Sequence, residues 1–327
     1  MQHLKFFAEI NKESVNEAGG KGASLGELTK AGILVPPGCV VLANAFDRFI
    51  EETHLKEEIK ARLQEVNPAD LNSVDRVSNV LRDVIHCTEM PADLAEEILS
   101  AFDQLGAEFV AIRSSATAED SLSASWAGEL ETYLNTTRDN ILERVRQCWS
   151  SLFTPRALFY RHEKGLIQTH VSVAVVIQTM VQSEISGIAF TVHPVTEDRN
   201  QMIIEAAYGL GEAIVGGLVT PDSYVIAKSE MSIMDISIGE QTRQLKRKID
   251  LSKSTANAKD EESRGSNEWS ELGDQGRKQK LTGPQIIELA NLCQKIENHY
   301  DFPCDIEWAF AEGQFYITQS RPITTLK

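Results

Sequence analysis

Val110–Asn135 reads VAIRSSATAEDSLSASWAGELETYLN. The short apolar run Phe109 to Ile112 predicts a strand that delivers Arg113 to the edge of the following loop. A guanidinium is permanently charged and holds its donors in a planar fork, so at a loop edge it suits a two-point grip on a polyphosphate. Ser114, Ser115 and Thr117 add hydroxyls, and Gly128 allows close backbone approach. Loops rich in Ser, Thr and Ala with one Arg also serve as ordinary turns, and the residues by themselves leave both readings open.

Upstream, Gly19-Gly20-Lys21-Gly22 leads into Ala23 to Ala31, where Leu25, Leu28 and small residues suit a helix; this reads as a phosphate-facing loop at a helix start. The P-loop pattern GxxxxGK[ST] fails twice, because position 15 is Val and Gly22 follows the lysine. Lys21 is then either a flexible ammonium for a nucleotide phosphate or a plain turn lysine. Pro36-Pro37-Gly38 breaks the chain before a strand at Cys39 to Leu42. Asn44 to Leu105 is mostly helical, with breaks at Pro68 and Pro91. Asn140 to Gly165 reads as one long helix and Val171 to Val181 as a buried strand. Gln178 is polar where that strand demands burial, so its amide needs a partner, whether backbone or ligand.

The second half alternates strands with glycine turns: Gly187 to Thr191, Ile203 to Ala206 and Ser223 to Ala227. From about residue 243 to 280 charge rises and apolar residues thin out, predicting an exposed hairpin with a mobile loop, or a lid over ligand. Thr282 to Tyr300 is an amphipathic helix with a Thr cap. Two short strands around Gly313 close the chain, and strand alternation puts Asp305 and Glu307 on one face with Ile306 and Trp308 on the other. Two carboxylates on one face repel unless a cation sits between them; Mg²⁺ meets that need, and a solvated strand face is the competing reading. A hairpin there brings Glu307 close to Gln319 and leaves Arg321 to a phosphate. The class is α+β.

With 48 acidic and 32 basic residues the formal charge is −16, which repels a nucleic-acid backbone or an anionic membrane. No nucleic-acid or membrane partner is expected. Binding a polyanion on such a chain requires local cations, here Lys21, Arg113 and Arg321, together with a divalent ion. Five scattered cysteines without CxxC spacing argue against a disulfide framework or a zinc site and favour a cytoplasmic setting. No run approaches the roughly 18 apolar residues of a membrane span.

Four blocks recur together and in this order elsewhere: AGGKGASLGE at Ala18 to Glu27, the Arg113 segment, SGIAFTVHP at Ser186 to Pro194, and DIEWAFAEGQFYITQSRPIT at Asp305 to Thr324. The chain resembles the N-terminal ATP-binding domain of the phosphoenolpyruvate synthase, pyruvate phosphate dikinase and rifampin phosphotransferase family, from about Asn16 to Thr324 and most weakly between about Lys246 and Lys280. The resemblance implies an ATP-grasp-like fold in which two lobes, 1–190 and 191–327, clamp nucleotide in a central cleft. The first would make the phosphate and adenine contacts, and the second the metal and phosphate contacts. It implies ATP and Mg²⁺ as cofactors. Lys21, Arg113 and Arg321 would act on phosphate, Gly128 and Thr132 in a phosphate-covering loop, Gln178 at adenine, and Glu307 and Gln319 at the metal. Full-length relatives pass a phosphoryl group to a histidine in a Thr-Ser-His motif on a swivelling domain. None of the seven histidines here has that context, so the phosphohistidine carrier would act in trans or within a longer parent chain. His193, in FTVHP, reads as structural. The competing readings are a nucleotide-binding module without turnover and the ATP domain of a rifampin phosphotransferase-like enzyme.

Overall fold

A computed structural model describes residues 2–117, 120–121, 124–125, 131–166, 171–248, 267–324 and 326. The chain divides into two compact units, Met1–Glu27 with Pro37–Met180, and Leu28–Pro36 with Val181–Lys327. The division thus falls at Met180, not at residue 190. Strand pairing is the reason: Ile185–Phe190 is hydrogen-bonded on both sides to strands of the second unit. Likewise the Ile317 N–H donates to the Leu34 carbonyl at 2.9 Å, which holds Leu28–Pro36 to that unit.

The first unit contains β1 (Leu4–Phe6), α1 (Val15–Lys30), β2 (Gly38–Val41), α2 (Ala43–Glu52), α3 (Leu55–Gln64), α4 (Leu71–Cys87) and α5 (Ala92–Leu105). Then follow β3 (Val110–Ala116), β4 (Asp120–Ser121), β5 (Ala124–Ser125), β6 (Thr132–Thr136), α6 (Ile141–Ser150), α7 (Pro155–Glu163) and β7 (Val173–Thr179). Its main sheet is antiparallel, in the order β1-β2-β7-β3-β6. Residues directly opposite one another across strands share a face. Cys39, Ile177 and Ile112 form one such row and Val41, Val175 and Ser114 the next. The apolar members of these rows join Phe46, Leu81, Ile85, Leu94 and Trp149 in one buried cluster, so α2 and α4 to α6 cover this face. Trp149 anchors it, fully buried and with its ring centroid 5.8 Å from Phe46 and 5.0 Å from Phe49.

Two local expectations are corrected. The helix expected from Asn140 to Gly165 is two, because Pro155 cannot donate to a helix entering from Ser150. A 3-10 turn at Ser151–Phe153 intervenes, and Thr154 caps α7 by accepting from the Ala157 N–H at 3.2 Å. The loop expected before Ala23 is already helical: α1 starts at Val15 and is broken only at Gly19, whose φ of 68° and ψ of 171° belong to glycine alone.

The second unit is built from β8 (Ile185–Phe190), β9 (Gln201–Tyr208), α8 (Gly211–Val215), β10 (Asp222–Ala227), β11 (Ser232–Ser237), β12 (Arg243–Arg247), β13 (Asn267–Glu271), α9 (Gly283–Tyr300), β14 (Cys304–Ala311) and β15 (Gln314–Pro322). Six strands form an antiparallel sheet in the order β11-β10-β9-β8-β14-β15. Ile204, Ala189 and Ile306 form one of its fully buried rows, and contacts from α9, whose Ile286, Leu289, Cys293 and Ile296 are also fully buried, reach β9, β11 and β14. A Cβ at Gly187 would overlap the Trp308 indole and the Glu205 carbonyl, so glycine is what lets Trp308 lie against β8. The Thr282 cap forms as expected, with a reciprocal bond to Gln285. The expected hairpin is β12 with β13. Its connection, residues 249–266, on which the lid reading falls, lies outside the described residues.

Candidate nucleotide site

Each unit presents one sheet face that its main helices leave uncovered, and the residues singled out from the sequence gather there. In the first unit the face opposite the helical core carries the rows Gly38, Gln178, Ala111 and Val40, Val176, Arg113, Thr132. Arg113 therefore lies within β3, three residues from its end, and not at a loop edge; the strand continues because Ser114 to Ala116 pair with Val173 to Val175. Thr132 stands directly opposite Arg113 on β6. The Gly19 break of α1 reaches this same face: a Cβ at Gly19 would overlap Ser115, and the Gly22 N–H donates to the Ser115 hydroxyl at 3.3 Å. Lys21, half-buried, sits in the first turn after the break. A helix start beside an arginine is an anion-receptive arrangement. Gly128 lies outside the described residues.

Gln178 is 3% exposed, and its amide Nε2 is buried without a hydrogen-bond partner. The expected structural partner is thus absent for that donor among the described residues. A buried amide left unpaired costs stability, of the order of 1–3 kcal/mol, and a ligand acceptor would recover it.

In the second unit, the face away from α9 carries two rows that cross the sheet. Val225, Ile203, Phe190, Asp305 and Arg321 form the first; Ser223, Glu205, Ile188, Glu307 and Gln319 form the second. Asp305 and Glu307 do share a face, as strand alternation requires. Gln319 Nε2 donates to Glu307 Oε1 at 3.1 Å, while Gln319 Oε1 is buried and unpartnered. An amide oxygen with an open lone pair beside a carboxylate is an oxygen-donor set that suits a hard divalent cation.

Arg321 is not left to a phosphate: its Nε donates to Asp305 Oδ2 at 2.8 Å, and its Nη2 lies 2.7 Å from the same oxygen. Cross-strand pairing explains this, since Asp305 and Arg321 are directly opposite. Burial still pushes the Asp305 carboxyl above its ordinary value, with Arg321 opposing the rise and Glu307 adding to it.

Glu205 escaped the sequence reading. Its signal was a single charged residue inside the apolar run MIIEAAY, the same signature that marked Gln178. Burial pushes its carboxyl up, and among the described residues it has no hydrogen-bond or ion-pair partner.

His193 accepts the N–H groups of Val195 and Thr196 on Nδ1, both at 3.2 Å. The neutral ring then carries its proton on Nε2, which removes the nucleophilic lone pair and agrees with a structural role. All five cysteines are free; burial pushes Cys39 and Cys304 up to about 12, far from thiolate reactivity. Among the described residues no group of three or more His, Cys, Asp or Glu is placed to hold a metal, and no helix is long and apolar enough to cross a membrane.

Comparison with known proteins agrees with these faces. Residues 15–327 match the family described as pyruvate phosphate dikinase, AMP/ATP-binding domain. A probable phosphoenolpyruvate synthase of Pyrococcus abyssi is 41% identical over 99% of this chain and 44% of its own length. The rifampicin phosphotransferase of Bacillus subtilis is 38% identical over 97% of this chain and 35% of its own length. The chain thus spans less than half the length of these relatives. Among solved structures, a D-alanyl-alanine synthetase A of Vibrio cholerae covers 76% of this chain and 54% of its own at 10% identity and a TM-score of 0.30, too low to bear on the fold. On the family match and the 41% identity across nearly its full length, the chain belongs to the pyruvate phosphate dikinase AMP/ATP-binding domain family.

Proposed function

We propose that this chain is the Mg-ATP-binding phosphotransferase module of a phosphoenolpyruvate synthase-like dikinase, handing a phosphoryl group to a histidine on a separate swivelling domain. One observation carries the reading. The buried polar atoms left open on the two sheet faces, Gln178 Nε2 and Gln319 Oε1, belong to the two residues that the family resemblance assigns to adenine and to metal. The fold proposed is ATP-grasp-like, with the two units acting as lobes on the nucleotide. Gln178 would donate to the base. Arg113, with Thr132 opposite it, and Lys21 at the helix break would neutralise phosphate charge as it builds in transfer, which positioning and electrostatics dominate. Arg321, oriented by Asp305, would add a further positive group. Glu307 and Gln319 fit Mg²⁺, which when bound supplies charge neutralisation between the polyphosphate oxygens. The five free thiols favour a cytoplasmic setting.

The relative named rifampicin phosphotransferase supports a second reading, in which the same module serves an antibiotic acceptor. Both readings share the ATP half-reaction, and one experiment tests it. The chain alone, given β- or γ-labelled ATP, should form no stable phosphohistidine. Added Thr-Ser-His domains from phosphoenolpyruvate synthase and rifampicin phosphotransferase relatives should become labelled, preferentially the matching one, and Glu307→Gln should abolish the labelling. Acid-labile label on this chain alone, lost in His193→Ala, would make it a self-sufficient phosphocarrier and end this reading. No labelling of any added domain, with ATP binding intact, would favour a binding module without turnover.

A further inference from the structure

The row Ser223, Glu205, Ile188, Glu307, Gln319 holds two carboxylates and one amide oxygen on a single face of one sheet. The Glu307 end has the donor set already described. The Glu205 end has nothing opposite in charge. Neighbouring strands are spaced about 4.8 Å apart, so Glu205 and Glu307, with Ile188 between them, have backbones about 9.6 Å apart. At metal–oxygen distances of about 2.1 Å, one octahedral Mg²⁺ ion cannot be held comfortably by both unless both side chains lie flat over Ile188. Two ions about 3.5–4 Å apart, each displaced from its own carboxylate toward the middle of the row, fit the spacing and would bridge neighbouring oxygens of one polyphosphate.

We propose that Glu205 is a second cation-binding residue of this face, taking a divalent ion separate from the one at Glu307 and Gln319, both on the same bound polyphosphate. This rests on the Mg-ATP reading above and deepens it. Two independent features support it. Gln319, 6% exposed and hydrogen-bonded to Glu307, keeps a buried acceptor oxygen that no donor in the described residues meets, so the row as a whole lacks positive charge. Elsewhere in the same unit, carboxylates that serve the fold are paired: Asp222 with Lys280, and Glu297 with Lys228. Glu205, half-buried in mid-strand and charged only at a cost, departs from that pattern.

The test counts protein-bound Mn²⁺, a paramagnetic stand-in for Mg²⁺, by electron paramagnetic resonance in the presence of a non-hydrolysable ATP analogue, with analogue binding followed separately by calorimetry. Wild-type protein is expected to hold two Mn²⁺ per chain, and Glu205→Gln one, with the analogue still bound. Glu205→Asp, which keeps the charge, should hold two with the second weakened at least tenfold. One Mn²⁺ in the wild type, or equal counts and affinities in wild type and Glu205→Gln, overturns the assignment of Glu205 while leaving the nucleotide reading intact. Absence of analogue binding to the wild type overturns both.

Discussion

Asp222 and Asp305 sit in the same sheet and meet opposite fates. Asp222 is fully buried and saturated: it accepts from Lys280 Nζ at 2.7 Å, the Lys280 N–H at 2.8 Å, the Gly239 N–H at 3.0 Å and the Tyr224 hydroxyl at 2.7 Å. Lys280, 5% exposed, returns bonds to the carbonyls of Gly239 and Gly276. Every strong donor and acceptor in that knot is used, and it ties the start of β10 to the segment entering α9. Asp305 has a partner on one side only, and its row neighbours Glu307 and Gln319 leave a buried acceptor open. The contrast teaches how to separate a polar cluster that folds a protein from one that waits for a ligand: the first closes on itself, the second has atoms to spare.

The comparison breaks most sharply at the knot. Asp222→Ala should cost about 3–5 kcal/mol of stability, because it strands a buried ammonium. A loss below about 1 kcal/mol in urea titration would show that the network is ornamental. The open faces should behave in reverse, with larger effects on binding. Arg113→Ala is expected to weaken nucleotide binding roughly 10- to 150-fold, the worth of a charge-assisted contact of about 1.5–3 kcal/mol, and Arg113→Lys should not restore it. Calorimetry giving wild-type affinity for Arg113→Ala would assign that arginine to the fold.

Smaller effects sharpen the contrast. Gln178→Leu removes a buried donor that has no partner, so thermal stability should hold or rise while nucleotide affinity drops about fivefold, near 1 kcal/mol. A clear fall in melting temperature would mean that the amide is structural after all. Glu205→Gln should raise the melting temperature of the nucleotide-free protein at neutral pH. The sign follows from burial: the folded carboxyl titrates above its ordinary 4.5, so stability present in acid is lost as pH rises through the raised folded value. The advantage of the variant should therefore vanish below pH 4.5. A pH-independent difference would point to packing and not to ionisation.

Much of this was legible in the sequence, and the failures have physical causes. The final hairpin was plain, because alternation about Gly313 fixes which residues oppose one another, and Glu307 does meet Gln319. The same pairing should have given Arg321 to Asp305; a phosphate was preferred because one-strand reading ignores the residue across. β1, β6 and β11 went unread: each is an edge strand, paired on one side only and half-exposed or more along much of its length, so none carries a continuous apolar run. Gln178 stood out as a polar residue in the apolar run VAVVIQT. Glu205 gives the same signal in MIIEAAY and was passed over because its strand was read as short.

The claim that these open faces form a Mg-ATP site is tested most directly by thermal unfolding of the wild-type chain with Mg-ATP, with ATP and chelator, and with AMP. Mg-ATP at about a hundredfold excess over its dissociation constant should stabilise the protein by roughly 2.7 kcal/mol, ATP without metal clearly less, and AMP least. Equal shifts in all three, or no shift with Mg-ATP, would contradict it.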